Sequence, residues 1–247
     1  MNTPVRILEQ IRAVTQLVNA GAQKPALRIT TNVPDAPLPV TASKFGGVPY
    51  LPAGVDAPLG SDGRPLGMIA QINCAELPQN TIYPESGMLQ FWLNPRHPQW
   101  GMNINDGLPG ADARVIYWEE LGAANPHACA VEANWEEHYW PINPPTREIS
   151  LIFGPPETPD PMLTWGDHER FIDIWNELYP DQAIEEIEEL EDLVEEAEED
   201  EDILSAIADE AGYHQLGGYP VFFDDDPRRN NPELEEYTVN LLTMGSE

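Results

Sequence analysis

Cationic residues are scarce in this chain: 12 Lys and Arg stand against 43 Asp and Glu, for a formal charge of -31 over 247 residues. So large an acidic excess argues against binding to nucleic acid or an anionic membrane by bulk electrostatics, and any partner held by charge should be basic. Cysteine is almost absent. Cys74 and Cys129 are the only two, too few for a disulfide scaffold and not spaced as a C-x-x-C pair, which points to a reducing compartment. Long apolar runs are missing as well, since nothing approaches the roughly 18 residues of a membrane span. Residues 1–19 lack the continuous apolar core of a signal peptide. A cytoplasmic protein is expected.

Familiar chemical signatures are also missing. There is no G-x-S-x-G elbow, phosphate loop or dinucleotide fingerprint. His168-Glu169 begins a metalloprotease spacing that fails at Ile172, where the second His should stand. The run Asp224-Asp225-Asp226 is followed by Arg228 and Arg229 where a calcium loop requires an oxygen ligand and Gly. His97, His127 and His138 have no partner at ligand spacing. No cofactor and no metal is expected, and a binding role is favoured over catalysis.

What is present can fold. Hydrophobic residues make up 41% of the chain, and seven tryptophans lie between Trp92 and Trp175, enough for a substantial core. Twenty-six prolines and 18 glycines break most of the chain into short elements. Ile7, Ile11, Val14 and Val18 recur at helical spacing and predict an N-terminal helix. Runs rich in apolar, β-branched and aromatic residues predict strands at Leu27–Val33, Met68–Cys74, Met88–Leu93, Arg114–Trp118, Glu148–Phe153 and Tyr237–Met244. No strand-helix alternation follows, so an antiparallel α+β arrangement is expected over a parallel one.

Residues 164–211 form an acidic helical insertion in this reading. Phe171, Trp175 and Leu178 mark a helix that starts at an Asp167 cap and stops at Pro180. Residues 181–210 then hold 16 acids and no Lys or Arg, yet Ile184, Ile187, Leu190 and Val194, then Ile203 and Ile207, keep a helical stripe. The stripe should face the protein. The acids Glu195, Glu196, Glu198, Glu199, Asp200, Glu201 and Asp202 should face solvent or a basic partner, and like charges three or four apart predict fraying where the block is unbroken.

One internal repeat stands out. Phe45-Gly46-Gly47-Val48-Pro49 is echoed by Leu216-Gly217-Gly218-Tyr219-Pro220, and Gln71 lies 25 residues after Gly46 where Thr243 lies 26 after Gly217, a weak echo of the first unit. Paired glycines before proline fit a tight turn with positive φ or a close backbone approach. A duplicated fold within one domain, residues 1–247, is expected.

The segments SKFGGVPYLP, PLGMIAQINCAELP, GMLQFWL and HQLGGYPVFFDDDPR together resemble the YwqG-like family of bacterial proteins, a family of unknown function. The resemblance covers about residues 43–93 and 213–247. It implies a mostly antiparallel α+β fold in two related halves, a cytoplasmic setting, and a His at position 214. An immunity or inhibitor role is a further implication. The chain departs from the pattern at Thr243 and Gly245, where Gln and Asp are usual, and it ends at Glu247 where a further strand would follow. A sheet edge left without that strand would accept a partner or a second copy, giving a homodimer through the C-terminal edge.

Three readings of function remain. The first is a non-catalytic protein-binding or regulatory module with a basic partner. The second is a small-ligand binder or enzyme with a site between the halves, using His214, Gln71, Asn73 and Arg228. The third is a self-associating structural protein. Each candidate residue also has a structural reading: His214 bonding a neighbouring carbonyl, Gln71 and Asn73 satisfying a buried turn, and Arg228 paired with Asp226 in a turn. Cys74 is expected to be a buried small hydrophobe.

Overall fold

The computed structural model describes residues 6–18, 24–97, 112–131, 142, 146–158, 168–196, 214–220, 228, 231–234 and 236–245. The expected acids Glu198, Glu199, Asp200, Glu201 and Asp202 lie outside the described residues, as do Ile203 and Ile207 of the stripe.

The fold is mixed α/β, with three helices and a seven-stranded antiparallel sheet among the described residues. The strands are β1 (Ala26–Asn32), β2 (Lys44–Phe45), β3 (Gly67–Asn73), β4 (Met88–Leu93), β5 (Ala113–Trp118), β6 (Ile149–Glu157) and β7 (His214–Gly217), in the order β5-β4-β3-β2-β6-β1-β7. Lys44 pairs with Gln71 and with Ser150, and Gln71 pairs with Gln90. The helices are α1 (Ile7–Val18), α2 (His168–Leu178) and α3 (Glu189–Glu196). None is long and apolar enough to cross a membrane.

The chain divides into two compact units, Met1–Arg28 with Pro156–Glu247, and Ile29–Pro155. The core of the first is helical. Ile7, Leu8, Ile11, Val14 and Val18 of α1 bury against Phe171 and Trp175 of α2 and against Ile184, Ile187, Leu190 and Val194, as the stripe predicts. Glu191, Asp192 and Glu195 of α3 are exposed. Helix α3 begins later than the pattern suggests, because the chain before it is committed to other bonds. Asn176 donates from Nδ2 to the carbonyl of Ile184 and accepts from its N–H, both at 2.8 Å. Trp175 Nε1 donates to the carbonyl of Gln182. Glu189 Oε1 then accepts from the N–H groups of Glu185 and Glu186, which ties the preceding turn to the start of α3.

In the second unit, β3 and β4 are buried on most positions, including the polar Gln71 and Gln90. Both Gly-Gly turns have the positive φ that the repeat predicts: Gly46 at 65° and Gly47 at 70°, Gly217 at 72° and Gly218 at 71°. The expected strand at Tyr237–Met244 is irregular chain with one bridge, Gln215 with Thr243. Asn240 accounts for this, since its Nδ2 donates to the carbonyl of Gly217 and to Thr243 Oγ1, a local alternative to a backbone ladder.

Candidate functional site

Gln71 and Asn73 lie on β3. Gln71 Oε1 accepts from the N–H of Tyr50 at 2.9 Å, and Nε2 donates to the carbonyls of Val40 and Ala42 at 2.8 and 2.7 Å. Asn73 Nδ2 donates to the carbonyl of Thr41, and its Oδ1 accepts from the N–H of Ala75. Both amides therefore tie β3 to the 40–42 segment. In the other unit, His214 is buried, with Nδ1 accepting from the N–H of Gly245. Arg228 Nη1 donates to the carbonyl of Tyr237. His214 and Arg228 are thus held by different backbone segments. Glu195 is exposed on α3, and Glu196 ends that helix. Cys74 is buried, and desolvation pushes its thiol up.

A different feature has the form of a ligand site. Within the unit Ile29–Pro155, a cleft of about 640 Å³ opens between the loop from Asp56 to Leu66 and the segment from Asn125 to Val131. Leu51 and Leu66 line it and pack on Met68 and Trp92, which gives it an apolar floor continuous with the core. Arg64, Arg96, Asp56, His127 and Cys129 line it as well. Its volume lies in the usual range for small-molecule sites.

Local chemistry builds both walls. Gly60 N–H donates to the carbonyl of Arg64, and Leu66 N–H to that of Pro58, closing a tight loop with Asp62-Gly63 at its tip, where Gly63 has φ 69°. On the opposite wall, Asn125 Nδ2 donates to the carbonyl of Val55, its Oδ1 accepts from the N–H of His127, and its N–H donates to the carbonyl of Leu51. One buried residue thus ties the 125–127 segment to the chain at 51–55.

Asp62 braces both arginines. Arg96 Nε and Nη2 donate to its two oxygens at 2.7 and 3.3 Å, and Arg64 Nε donates to Oδ2 at 3.0 Å. Arg96 Nη2 also donates to the carbonyl of Pro65. The Arg96 guanidinium, with the N–H of Arg64, holds the Asp62 carboxyl well below the usual carboxylate range. Among the described residues, the terminal nitrogens of Arg64 and Nη1 of Arg96 have no protein partner. They remain as donors at the cleft.

Asp112 anchors the same loop. Its Oδ1 accepts from the N–H of Ser61 and from Asn94 Nδ2, and its Oδ2 from Ser61 Oγ at 2.7 Å. Desolvation raises this carboxyl, but the bonds from Ser61 and Asn94 outweigh it and leave it below the ordinary 3.8. A carboxyl depressed on folding adds stability that is complete above its unfolded value and is lost as pH falls through the lower folded one. Stability measured by urea unfolding is therefore expected to drop below about pH 4. Asp112→Asn should shrink that acid limb and cost about 1–3 kcal/mol at neutral pH. An unchanged acid limb in Asp112→Asn would remove Asp112 as its source.

The sequence dismissed His127 and never singled out Arg64, Arg96 or Asn125. The available signal was scarcity: in a chain with 12 cations, two arginines flanking an Asp-Gly turn and an Asn-Pro step are conspicuous.

Together these features define a mixed α/β protein with an antiparallel sheet and an arginine-lined cleft at one end of it. The chain belongs to the family described as Domain of unknown function (DUF1963), whose sequence profile matches residues 43–247. That range holds every cleft residue and both Gly-Gly turns. No curated protein matches the chain. Among the described residues, no group of three or more His, Cys, Asp and Glu is placed to hold a metal ion.

Proposed function

We propose that this protein is a small-molecule-binding module, with its site in the cleft of the Ile29–Pro155 unit. One observation carries the reading: an apolar floor continuous with the core is faced by two arginines already oriented by a shared carboxylate. Prepositioned polar groups over an apolar base lower the ordering cost of binding.

Cys129 supplies a local reporter. It is exposed and lines the cleft, whereas Cys74 is buried. Thiol titration with Ellman's reagent should therefore label Cys129 first. A ligand at ten times its Kd should slow that labelling about tenfold by mass action. The probes are the fluorescent pair 8-anilino-1-naphthalenesulfonate and N-phenyl-1-naphthylamine. At least one is expected to bind saturably with protection of Cys129. Leu59→Trp, at the exposed rim, and Ala128→Trp, deeper, should each abolish that protection. Labelling that neither probe slows would refute the reading.

A second reading concerns α3. Among the described residues Glu191, Asp192 and Glu195 are exposed and make no ion pair, which supports docking of a basic protein on the acidic insertion of residues 164–211, including an immunity or inhibitor role. Salt-sensitive capture that deletion of residues 189–210 abolishes would support it, and salt-insensitive capture would not.

We also infer that the two Gly-Gly turns are copies of one unit. Three observations support this: matching positive φ, the pairing of Lys44 with Gln71 and of Gln215 with Thr243 at equivalent positions, and a polar side chain across the second glycine of each. The carboxylate of Glu148 lies over Gly47, and the amide of Gln215 over Gly218. Within its family the chain is then best placed among the YwqG-like bacterial proteins, in a cytoplasmic setting.

A further inference from the structure

We infer that the cleft selects a small amphiphile with a monoanionic headgroup of the carboxylate type, bound by the guanidinium groups of Arg64 and Arg96 with its apolar body against Leu59, Pro65, Ala128 and Val131. This rests on the cleft being the binding site and adds what it binds.

The argument begins with charge. Two guanidinium groups share one carboxylate, Asp62, so the cluster carries a local surplus of one positive charge inside a chain whose net charge is -31. Outside the cleft the protein repels anions, so only close, oriented donors can hold one. Arg64 and Arg96 provide them, and planar guanidinium donors suit a two-oxygen acceptor. The surplus of one neutralises a single negative charge. A dianion would bring a second, uncompensated charge into a cleft that Asp56 also lines.

The two arginines differ in rigidity. The Arg96 side chain is 16% exposed and bonded to Asp62 and Pro65, whereas that of Arg64 is 65% exposed. Arg96 is the fixed half of the site, and Arg64 can swing its outer nitrogens onto a bound group. The apolar lining excludes a bare ion as the preferred ligand, because a small hydrated anion would leave Leu59, Pro65 and Val131 uncovered.

The test uses the fluorescent pair already named, in which one molecule carries a sulfonate and the other does not. 8-Anilino-1-naphthalenesulfonate is expected to bind about 10- to 100-fold tighter than N-phenyl-1-naphthylamine, the range of charge-assisted hydrogen bonds expressed as a ratio of Kd. Arg64→Gln leaves the Arg96–Asp62 pair in place and should remove part of that preference. Arg96→Gln should remove most of it, with circular dichroism and the melting temperature checking that it folds. Benzoate should displace the sulfonate probe at lower concentration than phenyl phosphate, and phenol least. Equal binding of the two probes, or an undiminished preference in Arg64→Gln and folded Arg96→Gln, would overturn the inference while leaving the cleft as a neutral apolar site. Phenyl phosphate as the better competitor would overturn the monoanion assignment. Binding of neither probe with protection of Cys129 would overturn the cleft reading and this inference with it.

Discussion

Replacing Glu148 by alanine is expected to cost about 3–5 kcal/mol, a large share of the 5–15 kcal/mol by which a domain is usually stable. Lys44 is fully buried, and Glu148 Oε1 accepts from its Nζ at 2.6 Å. The other carboxylate oxygen accepts from the N–H of Leu38 at 3.0 Å. Removing the carboxylate strands an ammonium in the interior with no other partner among the described residues, and the attraction that offset its desolvation is gone. Denaturant unfolding should show the midpoint falling with little change in slope.

The double variant Lys44→Met with Glu148→Gln is expected to recover most of that loss. It removes the ammonium and keeps an acceptor for Leu38, and buried ion pairs are often replaced by neutral side chains at small cost. Coupling of at least about 1 kcal/mol between the two positions should result, since they touch. A Glu148→Ala cost below about 1 kcal/mol would mean that solvent reaches Lys44 and that the pair is only a surface contact.

This pair shows what a sequence hides. The Gly-Gly turn was legible because positive φ restricts residue choice to Gly at known spacings, and its echo at residue 217 was visible for the same reason. The Lys44–Glu148 pair was not, because it joins positions 104 apart and nothing local marks a lysine that will be buried. Strand β4 was read to the residue, since a run of apolar and aromatic residues ends at Gly87 on one side and at Asn94-Pro95 on the other. Strand β2 spans two residues, too few for a period of two to appear. Strand β6 continues through Pro155 and Pro156, where the missing N–H groups suggested an end, because an extended backbone tolerates the proline φ wherever no ladder donor is needed.

The candidate site was less legible than the fold. The sequence pointed to Gln71, Asn73, His214 and Arg228 through their closeness to the repeated turn, and the protein's own backbone bonds to all four. The cleft instead assembles residues near 56–66, 96 and 125–131, which only the folded sheet brings together. Asn125, which orients one wall, looks in sequence like any turn Asn before proline.

Gly46→Ala carries the second large expectation. A Cβ there would run into the carbonyl oxygen of Arg147 and approach Ile142 Cγ2 to 3.2 Å, and φ of 65° is itself unfavourable for an L side chain. The left-handed conformation costs about 1–2 kcal/mol, and displacing backbone to make room adds about 1–3 kcal/mol, for a loss of about 2–5 kcal/mol. Gly54→Ala separates the two contributions. Gly54 has φ 80° with nothing within 4 Å of the added carbon, so only the conformational cost of about 1–2 kcal/mol applies. Unfolding of the two variants side by side should place Gly46→Ala lower by about 1–3 kcal/mol. That gap measures the close passage of the 147–148 chain over the turn, the same passage that brings Glu148 to Lys44. Equal losses at the two glycines would mean that the motif specifies only a left-handed turn, and the tie between the repeat and the buried pair would fall.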